Sequence, residues 1–133
     1  MPYLRRLAVA MLCALPLAAA ACGGSDGGSG GTASGGSGEE LYRQYACASC
    51  HSLDGSEGTG PSFKGLAGST VTLEGGKQTK ATPAYLEKAI TDPDADVAEG
   101  YNAGLMTASI DGFDLESKPE DVAKLVEFIQ GVK

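Results

Sequence analysis

This sequence has a single histidine, His51, and only four cysteines, Cys13, Cys22, Cys47 and Cys50. With no second Cys or His pair, four ligands for a structural zinc ion cannot be assembled. Side-chain catalysis is equally short of parts: there is no Ser-His couple, no free thiolate beside a separate base, and no pair of carboxylates poised for acid–base work. No apolar run is long enough to cross a bilayer and stay, since the longest, residues 7–21, falls short of the roughly 20 residues required. Basic residues are scarce, ten Lys and Arg against 17 Asp and Glu, for a formal net charge of −7. An acidic chain of this kind is a poor match for nucleic acid or anionic lipid. There are no internal repeats, and 133 residues make one domain at most.

What is present is concentrated in Cys47-Ala48-Ser49-Cys50-His51. Two thiols three apart, followed at once by the only histidine, read as the attachment site of a c-type haem. On a short helix, residues i, i+3 and i+4 share a face. Cys47 and Cys50 can therefore both reach the vinyl edge of one porphyrin while His51 addresses its iron as the proximal ligand. A thioredoxin-like pair would want a βαβ setting and does not need the adjacent histidine. A structural disulfide would leave that histidine a coincidence.

The amino-terminal residues 1–21 read as a secretory signal peptide: Arg5 and Arg6, then the apolar run, then small residues. The arginines lack the rest of a twin-arginine motif. Leu17-Ala18-Ala19-Ala20-Ala21-Cys22-Gly23 resembles a bacterial lipobox with Ala19 at the position that prefers leucine. That resemblance implies a lipidated Cys22 as the mature amino terminus. The alternative is ordinary cleavage at the alanines, giving a soluble periplasmic protein. With Cys13 lost and Cys22 lipidated, no cysteine is left for a disulfide framework. Residues 22–38 form a Gly/Ser linker whose only charge is Asp26. Such a segment is expected to behave as a flexible coil with a root-mean-square reach of roughly 20–24 Å, either a leash that lets a domain swing between partners or a plain spacer. Beyond the signal the chain holds eight basic and 17 acidic residues, a net of −9. This favours a partner with a basic surface, or else simply keeps the protein in solution.

Residues 39–133 are the expected folded domain, small enough that a bound haem would supply part of its core. A first helix is predicted over 39–47, with Glu39 and Glu40 at its positive end and Leu41, Tyr42 and Tyr45 on its apolar side. Gly55, Gly58, Gly60 and Pro61 mark an irregular loop. Residues 71–73 and 78–81 flank Gly75-Gly76 as a short hairpin. Thr82 caps a second helix with Pro83 at its first position, running to about Asp92 with Leu86, Ala89 and Ile90 buried. Ser117 and Glu120 are expected to form a capping box for a last helix, which carries Val122, Leu125, Val126 and Ile129 at helical spacing and ends at Gly131.

Outside the signal peptide the only methionine is Met106. Its thioether is a soft donor that would take the iron's other face, favour the ferrous state and block the sixth site. The carbonyl of Pro61 is the expected acceptor for the second ring nitrogen of His51.

From residue 38 onward the chain resembles class I mono-haem cytochromes c, most of all the cytochrome c domain fused to subunit II of some haem–copper oxidases. The stretches that carry this are Gly60-Pro61, Gly65-Leu66-Ala67-Gly68, residues 71–76, Ala84-Tyr85-Leu86 with Ala89-Ile90 and Pro93, Gly100-Tyr101, and Leu125-Val126-Glu127-Phe128-Ile129. The resemblance implies an all-α cytochrome c fold around one covalently attached haem, with a short β-hairpin. It implies first and last helices crossing near Gly38, Tyr42 and Phe128, and Tyr101 beside the haem as a partner for a propionate. The family usually has proline after the axial methionine; here Thr107 leaves that backbone freer. Nothing resembles the copper-binding domain of subunit II.

The function this implies is one-electron transfer by a monomeric, membrane-tethered carrier in an extracytoplasmic respiratory chain. Its partners would be redox proteins such as an upstream reductase and a terminal oxidase. An enzyme or gas sensor with an open sixth site, and a subunit fixed to a dehydrogenase, are the competing readings. Carbon monoxide binding tests the first and co-purification the second.

Overall fold

Ser37, Glu40 and the helix they start show how local sequence sets the first element of this computed structural model, which describes residues 36–133. The signal peptide, Cys22 and most of the Gly/Ser linker lie outside the described residues. Helix α1 spans Gly38–Gln44. Ser37 is its N-cap: the Ser37 hydroxyl accepts from the Glu40 amide, and the Glu40 carboxylate accepts from the Ser37 amide at 2.6 Å. This capping box starts at Ser37, inside the segment expected to be linker. The helix stops earlier than expected because Ala46 turns into the left-handed region, φ 56°. Leu41 and Tyr42 are buried along its inner face, and Tyr45 follows them at the C-cap.

After the site loop come two short antiparallel strands, β1 (Thr70–Thr72) and β2 (Gln78–Lys80), paired Thr70 with Lys80 and Thr72 with Gln78. Gly75 and Gly76 turn between them at φ 81° and 80°, which suits glycine because it has no Cβ to clash. Helix α2 (Pro83–Thr91) starts as anticipated: the Thr82 hydroxyl accepts from the Tyr85 amide and Pro83 occupies the first turn. The following loop is stitched to the hairpin by Glu74 N–H to the Val97 carbonyl and Glu99 N–H to the Thr72 carbonyl, both 2.9 Å.

A helix that sequence patterning did not indicate, α3 (Leu105–Ile110), carries Met106, so the methionine sits on a helical turn rather than in an extended loop. Helix α4 (Pro119–Gly131) closes the chain. Its expected capping box is absent: Lys118 is the N-cap, with no side-chain bond to the helix. Proline disfavours helical backbone in the residue before it. Lys118, at φ −124° and ψ 58°, therefore cannot be the first helical residue that a cap at Ser117 would require.

Helices α1 and α2 both pack on α4. Leu41, Leu86, Ile90, Val122, Leu125, Val126 and Ile129 form the shared core with Tyr42, Tyr45, Phe63, Ala81 and Leu115. Burying one such leucine contributes about 1.5–3 kcal/mol. The α1–α4 crossing is close at Gly38, where an added Cβ would lie 2.4 Å from the Lys124 carbonyl oxygen and 2.5 Å from Phe128 Cβ. Tyr42 packs on Phe128 there, ring centres 5.5 Å apart. The crossing falls at the three residues named from sequence. Among the described residues no helix is long and apolar enough to cross a membrane.

Candidate functional site

A single turn presents the attachment motif. Residues Cys47–Ser49 wind into a 3-10 turn, and the Cys47 carbonyl accepts from both the Cys50 amide (3.2 Å) and the His51 amide (2.9 Å). The two thiols and the imidazole thus leave one tight loop, all three lining a single cavity. Cys47 and Cys50 are half-buried and not joined to each other. Burial pushes the Cys47 thiol above its ordinary pKa, with a smaller effect from nearby Cys50.

His51 is buried and held on several sides. Its Nδ1 lies 2.8 Å from the Pro61 carbonyl oxygen. A carbonyl can only accept, so Nδ1 carries the proton and Nε2 keeps the lone pair that a metal requires. One ring face stacks on Phe63, centroids 4.6 Å apart and planes 18° from parallel. Gly60 lies against the ring as well: a Cβ there would stand 2.5 Å from Cε1, 2.8 Å from Nδ1 and 3.0 Å from Nε2. The Tyr42 hydroxyl donates to the His51 carbonyl, tying the turn to α1. Burial lowers the imidazole pKa, partly opposed by the Pro61 bond, which favours the neutral, ligating form.

Apolar side chains from every part of the fold complete the cavity, among them Leu66, Val71, Leu86, Ile90, Leu125 and Ile129. Met106 and Tyr101, both half-buried, line it too. Every site residue expected from sequence within the described residues, namely Cys47, Cys50, His51, Pro61, Tyr101 and Met106, therefore borders one space. Cys22 lies outside them. Tyr45 borders the same space and donates to the Asp121 carboxylate at 2.5 Å, a buried pair unsuspected from sequence. Burial first, and Asp121 second, push the Tyr45 phenol up to about 12.

The donor set fits a haem better than a bare ion. No cluster of three His, Cys, Asp or Glu side chains that could hold a metal occurs among the described residues. One imidazole and one thioether suit an iron that brings its own equatorial nitrogens, and an apolar slot suits a flat macrocycle. Cys47 and Cys50 would hold that macrocycle covalently. Besides the Tyr45–Asp121 pair, three features escaped sequence reading: the Gly60–Phe63 grip on the imidazole, the Tyr42 bond, and Asp94. The carboxylate of Asp94 accepts from the Gly104 amide at 2.6 Å and from the Thr107 hydroxyl at 2.8 Å. The aromatic residue two beyond Pro61 was the one local signal for the grip.

Comparison with known families gives a match, over residues 36–133, to the family described as Cytochrome c.

Proposed function

The chain belongs to the cytochrome c family, and we propose that it is a carrier tethered outside the cytoplasm by lipidated Cys22, passing electrons from an upstream reductase to a terminal oxidase. As a family member it carries one covalently attached haem c and is an electron carrier rather than an enzyme. The haem supplies the one-electron Fe(III)/Fe(II) couple. The protein's own residues do the rest. His51, with Nδ1 committed to Pro61, offers Nε2 to the iron. Met106 would offer a soft sulfur as a second protein ligand. The apolar walls keep water from the metal.

The observation that carries this reading is that one cavity gathers Cys47, Cys50, His51 and Met106. Tyr101 borders it too, and the family likeness supports it as a partner for a propionate. The resemblance of the sequence to oxidase-linked cytochrome c domains supports a terminal oxidase as acceptor. The net charge of −9 beyond the signal favours basic partners and a brief, salt-sensitive encounter. Leu105, 46% exposed and bordering the cavity, provides an apolar contact at that encounter.

A redox titration with optical spectra on protein extracted from membranes tests the proposal. The expected result is a membrane-bound, low-spin haem whose colour survives acid acetone and whose ferric form shows the far-red sulfur-to-iron band. Protein found only in the soluble fraction would sink the anchor, and rapid carbon monoxide binding by the reduced form would sink methionine ligation.

A further inference from the structure

We propose that Asp94 is the positioning residue for Met106: its carboxylate fastens both ends of the first turn of α3 and so keeps the methionine turned into the cavity. The inference rests on Met106 being the iron's second protein ligand.

Helix α3 is otherwise held at its far end, where Ile110 packs against the core; its first turn has no such contact. None of its residues is buried, and its N-cap, Gly104, is left-handed at φ 79° with no side chain to cap the turn. Among the described residues, the side-chain hydrogen bonds that reach α3 or its cap from elsewhere both come from Asp94. Its two oxygens bracket Met106, one on the amide two residues before and one on the hydroxyl one residue after. A bidentate, charge-assisted contact fixes orientation as well as distance. The same two donors hold the Asp94 carboxyl below its usual range, the Gly104 amide contributing most, so it is ionised at neutral pH.

Asp94 can serve as an anchor because its own turn is pinned. Asp92 N–H donates to the Lys88 carbonyl at 2.7 Å, Ala95 N–H to the Asp92 carbonyl at 3.2 Å, and Lys88 Nζ meets Asp96 at 2.6 Å. Behind that turn, α2 is rooted in the core through Leu86 and Ile90. A single carboxylate thus ties the first turn of α3 to the loop behind which α2 is anchored. Thr107, which leaves the backbone freer than proline would, restores the constraint through its hydroxyl.

The test uses the complete haem-loaded protein in its ferric form, following the rate at which added imidazole abolishes the far-red sulfur-to-iron band. Thr107→Val should be displaced about tenfold faster than the parent, and Thr107→Ser, which keeps the hydroxyl, within about twofold of it. Asp94→Ala should be at least as fast as Thr107→Val, and adding Thr107→Val to it should change nothing further. Parent-like rates in both single variants, equal acceleration by Ser and Val, or full additivity in the double variant would each overturn the proposal. Met106→Ala separates the premise from the inference. It should lack the band and lower the reduction potential, and if it does neither, ligation by Met106 is itself wrong.

Discussion

His51 depends on what its neighbours lack as much as on what they supply. Gly60 packs against the imidazole because it has no Cβ, and Phe63 stacks on the ring. Gly60→Ala should push the ring off Phe63 and strain its bond to Pro61, destabilising the holoprotein by about 1–3 kcal/mol. Thermal unfolding followed in the haem bands measures it, and an unchanged midpoint would mean the ring has room the structure denies. Tyr45 and Asp121 form the other buried polar pair. The Tyr45 phenol, pushed up to about 12, stands above the ~10 of an unfolded tyrosine, so the folded state holds that proton longer. Its contribution is fully present below pH ~10 and is lost as pH rises toward 12. Tyr45→Phe should flatten that alkaline loss in denaturant titrations. At neutral pH it should cost about 1–3 kcal/mol, because the Asp121 carboxylate is left buried without its donor. A variant as stable as the parent would show that Asp121 finds water instead.

Between helices, the closest approach is Gly38 against Lys124 and Phe128. Gly38→Ala places a methyl group against backbone that cannot yield like a flexible side chain, so α1 must shift on α4. The expected cost is about 1–3 kcal/mol, read from chemical denaturation, with the Tyr42–Phe128 contact loosened. This crossing was legible only through the family likeness, which implied that Gly38, Tyr42 and Phe128 meet. Helices α2 and α4 were legible too, through Thr82-Pro83 and the spacing of Val122, Leu125, Val126 and Ile129. The helix starts were less so. Ser117 and Glu120 have the spacing of a capping box, but Pro119 between them bars Lys118 from helical backbone. Ser37 and Glu40 have the same spacing and do form one, concealed at the end of a Gly/Ser stretch that looks uniformly unstructured. Helix α3 has neither a buried stripe nor a side-chain cap of its own, so no periodicity announced it. Its anchor, Asp94, lies ten residues from Gly104, beyond the reach of any local pattern.

The cavity is part of the whole molecule's core. It touches α1's C-cap, the site loop, β1, α2, α3 and α4, so core side chains such as Leu86, Leu125 and Ile129 face it directly. A domain this small has little other apolar surface to bury. Cys47→Ala with Cys50→Ala should therefore yield a polypeptide with weakened helical circular dichroism and rapid proteolysis, whereas the haem-loaded parent resists. A well-folded, protease-resistant double variant would uncouple folding from the cofactor. The grip on His51 carries a consequence for motion. An imidazole wedged between a backbone and an aromatic plane, with one nitrogen already engaged, would have little freedom to move as the charge of an iron bound to it changed. With His51 as the ligand, little reshaping would then separate the oxidised from the reduced protein.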